Sequence, residues 1–251
     1  MKNYVKGKVV VITGGSSGFG LEAARLLLEM GALVAITGRD KKRLTAAMLE
    51  LGGNAKTAER LVGVQADACS TADWKRMFKA VEKTLGPVDV LVNNHGAGVK
   101  IAPVEEMTDA EIKTVLDTNI ASVIVGCREA VRLMKPRGRG QIVNVSSACA
   151  HHSWAAWGVY TAAKAGMVGF TRCLHKEMVA WGGKATCFVP GAARTNFCGA
   201  AGINADWLEG YPTGADFART LVHCLDVPDN CVIEEVNIWG TKQTHDMLNP
   251  Y

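Results

Sequence analysis

Short apolar runs alternate with longer helical patterns along almost the whole 251-residue chain. A strand buried on both faces of a parallel sheet reads as a continuous apolar run, and a helix usually connects it to the next strand. The alternation predicts one α/β domain over residues 1–251, with a seven-stranded parallel sheet. The predicted strands are Lys8–Thr13, Leu33–Thr37, Leu61–Ala66, Val88–Val92, Gln141–Val145, Ala185–Val189 and Val232–Ile238. The predicted helices are Gly18–Met30, Lys41–Leu51, Thr71–Leu85, Asp109–Met134, Val159–Trp181 and Gly214–Leu225.

Composition and charge exclude several classes of protein. Apolar residues make up 48% and charged residues 21% of the chain, which is ordinary for a globular protein. The apolar runs are far shorter than the roughly 20 residues that cross a bilayer, and no apolar signal-peptide core precedes the first strand. The net charge is +4, and its densest clusters, Arg39–Arg43 and Lys135–Arg139, are short and far apart. We therefore expect no membrane partner, no nucleic-acid partner and a cytoplasmic location.

A glycine-rich loop, Thr13–Gly20, joins the first predicted strand to the first predicted helix. Glycines allow a tight turn and close backbone approach to a pyrophosphate, whose charge is stabilised by the helix N-terminus. The spacing is Gly-x-x-x-Gly-x-Gly, but the strand-loop-helix context is that of a dinucleotide site. A purely structural glycine turn is the alternative. The predicted cofactor contacts in this loop are Gly14, Ser16, Ser17, Gly18, Phe19 and Gly20.

The end of the second predicted strand indicates which dinucleotide is bound. An acidic residue there would bind the ribose 2′-hydroxyl of NAD, but this chain has Gly38 followed by Arg39. A guanidinium can hold a 2′-phosphate, so NADP(H) is preferred and NAD(H) is disfavoured. Asp40 either caps the next helix or neutralises Arg39. Asp67, after the third strand, either accepts a hydrogen bond from the adenine amine or caps its own loop.

Tyr160 and Lys164 are four residues apart, so they share one face of a predicted helix. An ammonium beside a phenol lowers the pKa of the phenol, which can then transfer a proton near neutral pH. Taken alone, this spacing is also typical of an ordinary surface pair. Ser147 precedes Tyr160 by thirteen residues.

Together these motifs resemble the short-chain dehydrogenase/reductase family, in its branch of about 250 residues, over nearly the whole chain. The similar segments are Thr13–Gly20, Asn93–Gly96, Leu116–Asn119, Ser147 with Tyr160 and Lys164, and Pro190–Thr195. The resemblance implies a single-domain, doubly wound Rossmann fold with helices on both faces of the sheet. It also implies a small-molecule carbonyl or alcohol substrate and a homodimer or homotetramer.

The resemblance implies a catalytic role for Asn119, Ser147, Tyr160 and Lys164. Tyr160 would be the general acid in carbonyl reduction, and Ser147 would orient the carbonyl oxygen. Lys164 would bind the nicotinamide ribose, and Asn119 would hold a water that links Lys164 to solvent. Besides the glycine loop and Arg39, the implied cofactor contacts are Asp67, Ala68, Asn93, Gly96, Tyr160, Lys164, Pro190, Gly191, Ala193 and Thr195.

Two positions depart from the family's pattern. His95 stands where alanine is usual, and we interpret it as a packed, neutral histidine, with a pH effect on cofactor binding as a hypothesis. The segment Val236–Thr241 lacks the Asp-Gly-Gly common in many relatives, which puts their tetramer contact in doubt.

The segment between Ser147 and Tyr160 predicts the character of the substrate. We expect substrate contacts from Ser147, Cys149, Trp154 and Tyr160, and from a substrate loop over approximately residues 192–213. Tryptophans favour an apolar or cyclic carbonyl compound, although packing of the loop or a subunit interface explains them equally well. The adjacent histidines, His151 and His152, cannot readily share one ion, so no metal is expected.

Three functions remain open. The first is an NADP(H)-dependent oxidoreductase that interconverts a ketone or aldehyde and an alcohol by hydride transfer. The second is a 3-oxoacyl-thioester reductase acting on acyl-carrier protein, for which Arg128, Arg132 and Lys135–Arg139 would supply a basic surface. The third is a dinucleotide-binding sensor or scaffold without activity; the complete set of four catalytic residues argues against it.

Overall fold

The computed structural model describes residues 2–52, 57, 59–96, 100–195, 197 and 208–243. Seven strands form one parallel sheet in the order β3-β2-β1-β4-β5-β6-β7. The order changes direction between β1 and β4, which is where open α/β sheets form a ligand crevice. The strands are β1 Val9–Thr13, β2 Leu33–Gly38, β3 Leu61–Gln65, β4 Val90–Asn93, β5 Gly140–Val145, β6 Gly183–Pro190 and β7 Glu235–Ile238. The predicted fold is confirmed.

Helices cover both faces of this sheet. Within the described residues they are α1 Gly18–Glu29, α2 Lys41–Leu51, α3 Thr71–Leu85, α4 Asp109–Leu116, α5 Ser122–Met134, α6 Gly158–Val179 and α7 Gly214–Leu225. Short 3-10 turns lie at Val104–Glu106, Lys135–Arg137 and Ala148–Ala150. None of the helices within the described ranges has the length and apolar character needed to cross a bilayer.

The core is split by the sheet into two layers. Val10 and Ile12 of β1 pack with α1, α2 and α7 on one face. Val9 and Val11 of the same strand point the other way and pack with α3, α5 and α6. This division follows from the period of two residues along a strand. A continuously apolar strand such as β1 is therefore stable only between two helical layers.

The predicted helix Asp109–Met134 is wrong in one respect, because a π-helical turn, Asp117–Ala121, separates α4 from α5. The backbone N–H of Ser122 bonds to the carbonyl of Asp117, five residues back. Single π-turns often occur at functional sites, and this one carries Asn119.

The last strand is shorter than predicted, since β7 begins at Glu235 and not at Val232. Ahead of it, the Lys184 ammonium donates to the carbonyls of Pro228 and Cys231. These two backbone carbonyls thus accept hydrogen bonds from the Lys184 side chain and not from a neighbouring strand.

Candidate active site

A cavity of about 400 Å³ opens at the carboxyl ends of the strands. Its lining contains most of the residues predicted from the sequence: Gly14, Ser16, Ser17, Gly18, Phe19, Arg39, Asp67, Ala68, Gly96, Ser147, Cys149, Tyr160, Lys164, Pro190, Gly191, Ala193 and Thr195. Four predicted residues do not line it: Gly20, Asn93, Asn119 and Trp154. The fold therefore brings distant motifs together around one space.

The glycine loop places the N-terminus of α1 at this cavity. Gly14 and Gly18 have φ angles of 64° and 56°, which glycine adopts without steric cost. A Cβ atom on Gly14 would lie 3.0 Å from the Cα of His95. Within the described helix α1, the N-cap residue Ser17 makes no side-chain capping bond and the first turn has no acidic residue. Its first backbone N–H groups thus remain available to an anion.

Four other helices begin differently, whereas α6, like α1, begins without a side-chain cap. The side chains of Asp40, Ser70, Thr108 and Thr213 cap α2, α3, α4 and α7 by accepting backbone hydrogen bonds. These caps satisfy donors that have no partner inside the helix. The missing cap of α1 is consistent with a ligand-binding role because Ser17 and Gly18, at the start of this helix, also line the cavity.

Gly20 acts by packing rather than by lining the cavity. A Cβ atom at Gly20 would collide with the side-chain nitrogen of Asn94. That nitrogen donates to the carbonyls of Thr13 and Gly14, at 3.1 and 3.2 Å. Gly20 therefore leaves room for Asn94 to hold the loop, and its expected place as a cofactor contact is wrong because it does not line the cavity.

Asn93 also lies outside the cavity, which corrects its expected place. Its amide nitrogen donates to Asn144 Oδ1 at 2.9 Å and to Cys127 Sγ at 3.3 Å. The residue is fully buried between β4, β5 and α5. Successive strand residues point to opposite faces, so Asn93 faces the core layer and contributes to packing.

Two arginines lie at the end of the cavity formed by β2. Arg39, which was predicted to bind the 2′-phosphate, lines this end, and so does Arg43. Arg43 Nη2 donates to Ser17 Oγ at 3.2 Å. Sequence reasoning missed Arg43, although it follows Arg39 by four residues. Asp40 accepts from the backbone of Lys42 and Arg43, at 2.8 and 3.1 Å, so it caps the helix rather than pairing with Arg39.

Asp67 has the loop-capping role that was one of its two alternatives. Its Oδ1 accepts from the backbone N–H of Cys69 at 3.0 Å. Asp67 also lines the cavity, so this geometry leaves an adenine contact open. Ala68 and Cys69 line the same end of the cavity.

Lys164 is buried beside Tyr160 on α6. Its Nζ donates to the carbonyl oxygen of Val145 at 2.9 Å and lies 5.6 Å from the centre of the Tyr160 ring. Burial lowers the pKa of Lys164 to about 8. This amine is therefore still an ammonium at neutral pH but loses its proton near pH 8, well below the usual range of a lysine. It lies next to a phenol that lines the cavity.

The two neighbouring serines have different roles. Ser146 is buried, and its hydroxyl donates to the carbonyl oxygen of Lys164 at 2.9 Å. Ser147 begins the turn Ala148–Ala150, and its hydroxyl oxygen accepts from the backbone of Cys149 at 3.3 Å. The Ser147 hydroxyl keeps its own proton for donation. Ser147 is thus the serine suited to a carbonyl oxygen.

Asn119 is fully buried on the π-turn and does not line the cavity, whereas Gly96, near its side chain, does. Its amide nitrogen donates to the carbonyl of Val115 at 2.9 Å. A Cβ atom on Gly96 would lie 3.1 Å from Asn119 Oδ1 and 3.8 Å from Lys164 Nζ. Asn119 and Lys164 therefore lie around the same glycine.

The tryptophan at the cavity is Trp157, not Trp154 as predicted. The Trp157 and Tyr160 rings meet edge to face, with centres 5.8 Å apart. Trp154 packs behind, near His152. Between the two tryptophans Ala156 has a φ angle of 66°, and its carbonyl accepts from the backbone of Ala102 at 3.1 Å. A left-handed residue thus separates the two tryptophans, and the second one lines the cavity, which spacing alone did not reveal.

Phe197 is a second aromatic neighbour that sequence reasoning missed. Its ring centre lies 5.8 Å from that of Tyr160, and it lines the cavity. The only sequence signal was its place two residues after Thr195. Of the predicted substrate loop 192–213, residues 196 and 198–207 lie outside the described residues.

Cys149 lines the cavity, and burial raises the pKa of its thiol to about 11. It is therefore a small apolar contact rather than a nucleophile. No group of three or more metal-ligating side chains was found among the described residues.

Comparisons with known proteins find relatives of this chain. The family model for short chain dehydrogenase matches residues 8–204. The chain is 32% identical to the 3-oxoacyl-(acyl-carrier-protein) reductase FabG of Chlamydia pneumoniae over 213 residues, which is 83% of each protein. It is 36% identical to the NADP-dependent (R)-specific alcohol dehydrogenase of Lentilactobacillus kefiri over 178 residues, 70% of this chain and 67% of the relative.

A solved structure, that of levodione reductase, superimposes with a TM-score of 0.82 at 27% sequence identity, covering 94% of this chain and 97% of that one. The chain therefore belongs to the short-chain dehydrogenase family, whose oxidoreductases bind a nicotinamide dinucleotide and act on alcohol and carbonyl groups.

Proposed function

We propose that the protein is an NADP(H)-dependent oxidoreductase that interconverts an uncharged, apolar or cyclic ketone or aldehyde and its alcohol. The observation that carries this proposal is the convergence of Ser147, Tyr160 and Lys164 on one cavity that also includes the glycine loop. Each group has the chemistry that carbonyl reduction requires.

The residues present fit a dinucleotide. The positive φ angles of Gly14 and Gly18 and the uncapped N-terminus of α1 suit a pyrophosphate. Arg39 and Arg43 supply two guanidinium groups where the 2′-phosphate of NADP would lie. Further contacts are proposed for Ser16, Ser17, Phe19, Asp67, Ala68, Gly96, Pro190, Gly191, Ala193 and Thr195, all of which line the cavity.

When bound, the nicotinamide supplies or accepts the hydride. In reduction, the Tyr160 hydroxyl gives its proton to the carbonyl oxygen. Ser147 donates a hydrogen bond to the same oxygen and orients it. The buried Lys164 ammonium favours the phenolate that Tyr160 becomes, and Asn119 places an amide next to this lysine.

The carbonyl end of the cavity supports an apolar substrate. Trp157 and Phe197 flank Tyr160, and the neutral thiol of Cys149 lies nearby. The described lining residues that follow Val145 in the chain include one charged side chain, that of Lys164. A carboxylate or phosphate on the substrate would therefore find little compensation for its lost hydration.

A 3-oxoacyl-thioester reductase is the second candidate, and it is favoured by the likeness to FabG. Acyl-carrier protein is acidic and needs a basic surface. Arg128 and Arg132 were expected to supply one, but both pair with Glu129 at 2.9 Å. This pairing reduces the positive charge that they offer. A sensor without activity is the third candidate.

We also propose a homodimer or homotetramer and a cytoplasmic location. Ile124 on α5 and Val179 at the end of α6 are exposed apolar residues on two neighbouring helices. A subunit contact would cover them.

The test is NADPH oxidation followed at 340 nm against an acetoacetyl thioester, small aldehydes and diketones, and bulky cyclic or steroidal ketones. We expect the highest kcat/KM with a cyclic ketone, and a kcat lowered by about 10²–10⁴-fold in Tyr160→Phe. A preference for the thioester would select the second candidate. Tight NADPH binding without turnover of any compound would select the sensor.

A further inference from the structure

His95 occupies an unusual position between two elements of the site. It follows β4, lines the cavity, and packs edge-on against Trp74 with ring centres 6.2 Å apart. Its Nδ1 lies 2.6 Å from Thr13 Oγ1, at the end of β1. Its Nε2 lies 2.7 Å from Ser122 Oγ, immediately after the π-turn. The imidazole thus connects the strand that leads into the glycine loop to the turn that carries Asn119.

The hydrogen-bond network assigns the proton on this ring. Ser122 Oγ donates to the carbonyl oxygen of Thr118 at 2.8 Å, so it must accept from His95 Nε2–H. Nδ1 is then the acceptor, and the Thr13 hydroxyl donates its one proton to Nδ1 at 2.6 Å rather than to the carbonyl oxygen of Val92, which lies farther away at 3.2 Å. Burial, followed by the nearby Lys164 ammonium, lowers the pKa of His95 to about 3. The ring is therefore neutral, with both nitrogens paired.

The same network also supplies a hydrogen bond to a backbone carbonyl of the π-turn, that of Thr118. The Ser122 N–H bonds to Asp117 and not to Thr118, four residues back, as it would in an α-helix. The carbonyl oxygen of Thr118 instead accepts a hydrogen bond from the hydroxyl of Ser122. His95 holds that hydroxyl in the required orientation by donating to its oxygen.

We infer that His95 is a positioning residue, a neutral link that holds the π-turn in the geometry that places Asn119 beside Gly96 and Lys164. This inference rests on the proposed function. An alanine at this position could make neither hydrogen bond, and a small misplacement of a supporting group can lower turnover strongly.

The test compares three substitutions of His95. Glutamine places an amide nitrogen near the position of Nε2 and can still donate to Ser122, whereas asparagine reaches only the position of Nδ1, near Thr13. We expect His95→Ala and His95→Asn to lower kcat by about tenfold or more, with the NADPH dissociation constant changed less than about threefold. His95→Gln should recover most of kcat. Ser122→Ala should match His95→Ala, and the double variant should be no worse than either one.

His175→Ala is the matched control. His175 Nδ1 accepts from the backbone of Ala185 at 3.3 Å, and the residue does not line the cavity. We expect its kcat to equal that of the wild type. Equal kcat in the Gln and Asn variants of His95, or an unchanged kcat in His95→Ala, would overturn the inference.

Hydrogen exchange separates this inference from the proposed function. The backbone amides of Asn119–Ser122 should exchange faster in His95→Ala and His95→Asn than in the wild type and His95→Gln. If the wild type turns over none of the carbonyl compounds, the proposed function fails, and this exchange pattern alone decides the role of His95. Uniform exchange among all four proteins would refute the link. If His95→Ala does not fold, the difference in kcat and in hydrogen exchange between His95→Gln and His95→Asn decides the test.

Discussion

The two ends of the cavity are lined by different kinds of side chain. The end near β2 has Arg39, Arg43 and Asp67, charged groups at the ends of strands or in the first turn of a helix. The other end has Tyr160 and Trp157, both less than a tenth exposed. The first end is suited to recognise a ligand by charge, and the second by shape and exclusion of water.

This difference explains why the charged end could be predicted from the sequence better than the buried end. Charged groups at strand ends depend on local order along the chain, whereas the buried end depends on how separate segments pack. We therefore expect substitutions at the first end to change which cofactor binds, and substitutions at the second to change turnover and substrate choice.

The largest effect is expected for Tyr160→Phe. This change keeps the ring between Trp157 and Phe197 but removes the hydroxyl, so kcat should fall by about 10²–10⁴-fold while NADPH affinity stays nearly constant. Steady-state kinetics and fluorescence titration of NADPH measure the two quantities. A variant with wild-type turnover would end the general-acid assignment.

The next effect is expected at the charged end. Arg39→Ala should weaken NADPH by about tenfold to a hundredfold and leave NADH nearly unchanged, because a charge-assisted hydrogen bond is lost only with the 2′-phosphate. Arg43→Ala should have a smaller effect in the same direction. Equal losses for NADPH and NADH in direct titrations would mean that neither arginine binds this phosphate.

A pH dependence is expected from Lys164, whose pKa burial lowers to about 8. Below this pH the amine is an ammonium, and above it the amine is neutral. Reduction needs a proton, so its rate should fall as the pH rises above about 8, by up to about tenfold per pH unit. Alcohol oxidation should rise over the same range.

Lys164→Arg provides the control for that profile. A guanidinium stays charged at every accessible pH, so the falling limb should disappear, at a lower overall rate. A limb that persists unchanged in this variant would assign the titration to another group.

A smaller effect is expected at Trp157. Trp157→Ala should raise KM for a bulky cyclic ketone by about tenfold and leave KM for a small aldehyde nearly unchanged, because the lost ring contacts only a large substrate. Trp157→Phe should retain most of the affinity, and Trp154→Ala should not discriminate between the two substrates. Equal increases in KM for both substrates would indicate a general loss of packing.

The smallest effect concerns two cysteines at opposite ends of the cavity. Cys69 is exposed, whereas Cys149 is buried with a thiol pKa raised to about 11. At pH 8 iodoacetamide should therefore label Cys69 first, as followed by mass spectrometry of tryptic peptides. Faster labelling of Cys149 would show that its end of the cavity is open to solvent.

Much of the fold follows from local patterns in the sequence. The apolar runs, their spacing and the intervening helical periods predict seven parallel strands, and the structure differs mostly by a few residues at the ends of elements. The caps at Asp40 and the glycine loop are equally local, since they depend on residues adjacent in the chain. The π-turn could not be predicted, because one bond between residues five apart leaves the apolar periodicity almost unchanged.

The sequence by itself determined the fold class, the loop that suits a dinucleotide and the order of the candidate catalytic groups, because each depends on short-range spacing. Tertiary structure alone decided which of these side chains reach the cavity. It directed Asn93 into the core, turned Trp157 rather than Trp154 toward Tyr160, and joined His95 to Ser122. These outcomes depend on contacts between segments far apart in the chain, where packing and the pairing of buried polar groups outweigh local preference.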